Sequence, residues 1–295
     1  MPQQPRQGSD QQQTKSAGPE KEKTFTTFTA AQAAAYAANR NDKYPAALYA
    51  RIFAYVRSRE ASDTSHVDGD ADVLEQAARE PLELLLDVGT GPGKAVFEML
   101  PYFKRAVGVD PGDKMIEIAR RDAQTRGVDE ARVRFEVCGA ESCADALAEA
   151  EVGKVDLITC AMAAHWFDME AFYTSAAKAL RPGGTLAMFT CTSGYVHPSD
   201  PKRKEIQAIL SNLEDNILGP YEAPGNRISR DAYVNLALPW TLPAPNATFS
   251  QASFVRKDWD LNGIPSAPSL PDGTPGPFLF SEARRPEEML SLIHI

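Results

Sequence analysis

The chain has 295 residues, enough for one large domain or two small ones, and 43% of them are hydrophobic, ample for a buried core. Its 40 acidic side chains outnumber 31 basic ones, and the resulting net charge of −9 speaks against a general nucleic-acid role, because phosphate binding needs concentrated Lys and Arg. Cys138, Cys143, Cys160 and Cys191 have neither the spacing of a disulfide framework nor that of a metal site. No apolar run approaches the roughly 18 residues of a membrane span, and the N-terminus lacks the pattern of a signal peptide. The expected setting is the cytoplasm or nucleus, with no membrane partner.

Residues 1–23 contain no apolar side chain beyond Met1 and Ala17. Such a segment cannot bury enough surface to offset its ordering entropy, so a disordered tail is expected. From Phe25 to Arg57 the pattern is helical, with Phe25, Phe28, Tyr36, Leu48, Ile52, Phe53 and Val56 at packed-face spacings and a break near Tyr44-Pro45. Tyr36, Arg40 and Tyr44 read as packing and surface charge. Residues 58–80 carry Asp63, Asp68, Asp70 and Asp72 without the constrained spacing of a cation loop, and read as a solvated acidic insertion.

Strands and helices then alternate, the signature of an α/β doubly wound parallel sheet within one domain over 24–260. Strands are expected near 83–88, 105–110, 133–138, 154–161 and 184–190, and helices near 93–101, 112–127, 142–150 and 168–180. Arg181-Pro182-Gly183-Gly184 should stop the last of these helices. Asp200 to Leu218 reads as a further helix, and Phe249 to Trp259 as a sixth strand. Five prolines between Leu261 and Pro277 make regular structure improbable there, so 261–295 is expected to be irregular.

The chemistry is concentrated in Leu84-Leu85-Leu86-Asp87-Val88-Gly89-Thr90-Gly91-Pro92-Gly93. An apolar run that ends in an acid and breaks into alternating glycines reads as a buried strand turning into a helix around a ligand. Asp110 ends the next apolar run 19 residues after Gly91, the usual place for a carboxylate that holds ribose hydroxyls. A phosphate loop fails here, since Val88 stands five residues before Gly93 and Ala95 follows Lys94 where a magnesium-binding hydroxyl is needed. A dinucleotide fingerprint matches poorly, because Lys94 takes its third glycine position. Asp87 would also repel a pyrophosphate, whereas it suits a ligand with an ammonium and a cationic sulfonium. S-adenosylmethionine fits best.

Asp87 to Gly93, Asp110, His165-Trp166-Phe167-Asp168 and Leu180 to Gly184 together resemble the class I S-adenosylmethionine-dependent methyltransferases, over about residues 30–260. Leu218-Gly219-Pro220-Tyr221 and Pro224-Gly225-Asn226-Arg227, taken with the His165 segment, resemble the fungal group related to trans-aconitate methyltransferase. The resemblance implies a Rossmann-like sheet with an N-terminal helical cover over the acceptor site. It implies that Gly89 and Gly91 lie against the methionine and ribose portions, that Asp110 holds the ribose, and that Ala140 and Glu141 border the adenine. Tyr221 and Arg227 match the subgroup's acceptor positions, and a planar guanidinium there suits an acidic small-molecule acceptor.

Asp168 reads as a helix N-cap, and Trp166 as packing or a wall of the site. His165 either makes a structural hydrogen bond or meets the acceptor or cofactor. For a carboxylate acceptor it would only orient the nucleophile; for a hydroxyl or amine it is the candidate base. The rivals are a degenerate cofactor-binding protein without activity and a nicotinamide-dependent oxidoreductase. Class members end in an antiparallel hairpin whose last strand inserts into the sheet, yet 281–295 shows no alternation long enough for one. An incomplete hairpin and a truncated or altered tail are therefore expected, with weak stability and aggregation following from an open strand edge.

Overall fold

The structure is a computed structural model that describes residues 25–40, 43–57, 69–194, 196, 200–244, 248–257 and the backbone of 291–294. The tail over 1–23 and the proline-rich stretch lie outside the described residues. Five parallel strands, β1 (Leu82–Val88), β2 (Phe103–Asp110), β3 (Val133–Val137), β4 (Val155–Ala161) and β5 (Leu180–Phe189), stand in the order β3-β2-β1-β4-β5. The chain starts at the centre, winds outward to β3, and returns to β4, so the order reverses between β1 and β4. Alternate side chains of β1 feed opposite cores: Leu84 and Leu86 join Ile158, Phe172 and Tyr173, while Leu85 joins Phe53, Met99, Ile116 and Leu157. Burial on both faces explains why β1 reads as a continuous apolar run.

Helices α1 (Ala30–Asn39) and α2 (Ala46–Arg57) form the N-terminal cover, with Thr29 and Gln32 closing a reciprocal capping box at the start of α1. The acidic stretch contains α3 (Asp70–Arg79), which packs Ala77 into the core beside α2. The part of that stretch read as purely solvated is thus anchored by Ala77, with Val73 and Leu74 packed partly buried against the same core. Crossovers α4 (Lys94–Met99), α5 (Asp113–Thr125) and α6 (Met169–Ala179) fall where expected, and Asp168 caps α6 by accepting from Ala171 N at 3.2 Å. Between β3 and β4 the expected helix is replaced by two 3-10 turns, Ala140–Ala146 and Glu149–Glu151. The Ala144 N–H goes to the Ser175 hydroxyl at 3.0 Å, a partner that local periodicity cannot reveal.

Two strand expectations need correction. β5 begins at Leu180, because Arg181–Gly184 is absorbed as an irregularity between the pairs Val155↔Leu180 and Leu157↔Thr185. The hairpin is not incomplete: β7 (Ser291–His294) runs antiparallel between β5 and the two-residue β6 (Val255–Arg256). Its register runs from Thr185↔His294 to Met188↔Ser291, so four residues supply the backbone partners that the β5 edge requires. Four residues are too few to show alternation, which is why the sequence did not display this strand. The expected sixth strand over Phe249–Trp259 contracts to Val255–Arg256 among the described residues.

Candidate active site

Asp87, Gly89, Gly91 and Asp110 converge at the carboxyl edge where strand order reverses, the usual ligand position in open α/β sheets. The loop after β1 is tied to β2 by Gly89 N and Thr90 N, which donate to Val109 O at 2.8 and 2.9 Å. Asp110 draws the two loops together: Oδ2 accepts from Gly91 N at 2.9 Å and Oδ1 from Gly112 N at 2.8 Å. Burial raises its pKa, and these two N–H groups oppose the shift. Gly89 has φ +73° and a Cβ there would lie 2.4 Å from Ala163 Cβ, so the loop touches the segment after β4. Gly91, at φ +54°, faces open space to 4 Å.

Asp87 is fully buried. Its Oδ1 accepts from Thr159 Oγ1 at 2.6 Å, while Oδ2 has no partner in hydrogen-bonding geometry. Burial pushes the pKa up to about 6 against the pull of the Thr159 and Thr90 hydroxyls. Buried polar atoms without partners are uncommon in folded proteins, and this one sits at the ligand edge of the sheet. Ala140 opens the turn after β3, and Glu141 Oε1 accepts from Asp168 N at 3.1 Å, linking that turn to the start of α6.

The other wall follows β4. Met162 takes φ +58°, a conformation rare outside glycine, and is held by its N–H to Phe189 O at 2.9 Å. The 3-10 turn Ala164–Trp166 comes next. His165 Nδ1 lies 2.9 Å from Tyr233 Oη, and burial, with a smaller push from the Arg40 charge, lowers the imidazole pKa to about 4. Trp166 packs edge-on against Phe25 at 5.7 Å, and the Phe25 carbonyl lies against Gly112, so the N-terminal segment spans the cleft from the β2 side to the β4 side.

The remaining cover comes from α7 (Arg203–Asn212), its π-helical extension Leu213–Leu218, and α8 (Pro224–Arg230). Gly225 in α8 sits so close to the His165 carbonyl that a Cβ would be 2.6 Å from it. Arg227 is not aimed at an open subsite: its Nε donates to Asp231 Oδ2 at 2.9 Å, and its terminal nitrogen lies 2.9 Å from Oδ1. Tyr221 is 86% exposed.

Three features were missed or misread from sequence. Arg40 is no surface charge; it donates to Tyr36 Oη at 2.8 Å and Tyr44 Oη at 3.2 Å, and its charge is felt by His165 and Cys191. The spacing of four between Tyr36, Arg40 and Tyr44 was the available signal. Tyr233 and the strained Met162 left none, because both depend on contacts distant in the chain.

Residues 86–188 match the family model described as a methyltransferase domain. A Dictyostelium discoideum protein assigned as a methyltransferase is 27% identical over 165 residues, 56% of each chain. The Saccharomyces cerevisiae protein CRG1, assigned as an S-adenosylmethionine-dependent methyltransferase, is 34% identical over 114 residues, 39% of this chain and 36% of its own. The ubiquinone biosynthesis O-methyltransferase of Rhizobium etli is 33% identical over 118 residues, 39% of this chain and 45% of its own. The chain thus spans about half the length, or less, of these curated relatives.

Proposed function

We propose that this chain, whose residues 86–188 match a methyltransferase domain, is an S-adenosylmethionine-dependent enzyme that methylates a small-molecule acid of the trans-aconitate kind at a carboxylate. The observation that carries the cofactor assignment is the fully buried Asp87, whose Oδ2 has no partner in strict hydrogen-bonding geometry although the Thr90 hydroxyl lies close enough to lower its pKa. An ammonium satisfies it, whereas a pyrophosphate would be repelled. The open direction at Gly91 leaves room for the ligand against the loop, and each Asp110 oxygen keeps a second lone pair for a ribose hydroxyl. Ala140 and Glu141 are assigned to the adenine border.

When bound, the cofactor would supply a sulfonium methyl to an acceptor oxygen, the electron pair of the broken carbon–sulfur bond passing to sulfur. The protein aligns the acceptor and excludes water. Trp166 with Phe25 closes the cleft, and His165 faces the acceptor. Tyr221 and Arg227 are our assignment for recognition of a further carboxylate, which at Arg227 exchanges with Asp231. We place the reaction in the cytoplasm; among the described residues no helix is long and apolar enough to cross a membrane.

The test incubates the full chain with methyl-labelled S-adenosylmethionine and trans-aconitate, its fully esterified form, a catechol and a primary amine. Label in a base-labile methyl ester of trans-aconitate is the expected result. Label confined to catechol or amine would overturn the acceptor class, and no label in any product would support the inactive-binder alternative.

A further inference from the structure

We infer that Tyr233 fixes His165 as its Nε2–H tautomer, so that His165 serves the acceptor as a hydrogen-bond donor and not as a base. Tyr233 is 5% exposed and its Oη lies 2.9 Å from His165 Nδ1. Between a phenol and a neutral imidazole nitrogen, the phenol O–H is the better donor and the nitrogen the better acceptor. Burial keeps the phenol protonated, against the Thr190 hydroxyl and the backbone N–H groups of His165 and Ala164, which favour negative charge on Oη; the retained O–H is left to point toward Nδ1. The imidazole is neutral at ordinary pH, since burial and the Arg40 charge resist its protonation. Its single proton therefore sits on Nε2.

Backbone strain supports this role. Ala232 and Tyr233 take φ +52° and +61° in succession, both unfavourable for side chains with a Cβ. The turn is held by Ala232 N to Ser229 O at 2.8 Å, Tyr233 N to Ile228 O at 3.0 Å, and the Arg256 guanidinium to Ala232 O at 2.8 Å. Strain maintained by converging contacts is characteristic of positions where a side chain must be aimed. Tyr233 is accordingly a positioning residue, acting through His165.

The consequence for the acceptor rests on the methyltransferase reading above. An Nε2–H donor can orient a carboxylate oxygen but cannot remove a proton. Methyl transfer from a sulfonium to a carboxylate neutralises both charges and releases no proton, whereas a phenol or amine must lose one. The site therefore favours carboxylates.

Two measurements test this separately. Long-range 15N–1H spectra of the imidazole rings, with His165 identified by its loss in His165→Gln, should show Nδ1 bare and Nε2 protonated in the wild-type chain and a tautomer mixture in Tyr233→Phe. A protonated Nδ1 in the wild type overturns the proposal, whether or not the variant folds and whether or not any methyl is transferred. With trans-aconitate as acceptor, His165→Gln keeps an N–H donor without basicity and should retain transfer within about tenfold, while His165→Ala loses about 100-fold. Equal large losses in both folded variants would restore the base.

Discussion

At the scale of single residues, the two loop glycines separate folding from binding. Gly89→Ala meets Ala163 as well as an unfavourable φ, so it should destabilise the protein by about 2–4 kcal/mol. Gly91→Ala has open space around the new methyl, so it should cost about 1 kcal/mol of stability yet weaken S-adenosylmethionine binding at least about tenfold. Thermal melts and calorimetry on both variants check the contrast. Asp87 makes a pH prediction for the unliganded protein. Its folded pKa of about 6 lies above the unfolded value near 3.9, so the native state holds a proton that the unfolded state has lost between those limits. Stability from this group is full below about pH 4 and is lost as pH rises to about 6, by about 3 kcal/mol in all. Asp110 is raised in the same sense, so the readout is the difference between wild type and Asp87→Asn in urea unfolding across that window; identical slopes would refute the assignment. That Asp87, Gly89, Gly91 and Asp110 meet at one edge of the sheet was legible because their signal lies within two short stretches. His165 was legible as a residue but not as a chemical role, since its partner Tyr233 is 68 positions away.

Among the elements, strand existence was readable from buried apolar runs, but boundaries shifted wherever a tertiary partner intervened. Ser175 takes the Ala144 N–H and limits the segment after β3 to 3-10 turns, and the irregular Arg181–Gly184 joins β5 through pairing with β4. The cover contains one fastening that sequence could not display. Arg230, 16% exposed, holds Asp215 and Glu222 at 2.9 Å each and Glu214 at 3.6 Å, while its Nε donates to Ser193 Oγ at 3.1 Å. It joins α8, the π-helical extension of α7 and the segment after β5. Arg230→Ala should therefore speed proteolytic cleavage between 200 and 222 several-fold, while stability falls by about 1–3 kcal/mol. Unchanged cleavage would show that these ion pairs do not hold the cover.

For the whole molecule, the decisive arrangement is a sheet whose order reverses between β1 and β4 and in which β7 covers the β5 side and β6 forms the far edge. The reversal followed from the alternation of strands and helices. The completed edge did not, because a four-residue strand gains its identity only from the β5 backbone opposite it. Ile293→Pro removes an N–H from that short strand, so it should broaden unfolding and raise aggregation, visible as a concentration-dependent loss of monomer on a sizing column. A variant as monomeric and cooperative as the wild type would show that the edge does not need β7. If Asp87 and the glycine loop form a site for S-adenosylmethionine, calorimetric titration of that cofactor into the wild-type chain and Asp87→Asn at about pH 5 and about pH 7.5 should resolve it. One site is expected, tighter in the wild type at the higher pH because the ammonium then meets an ionised Asp87, with little pH dependence in the variant. No binding, or the same affinity and pH dependence in both proteins, would contradict it.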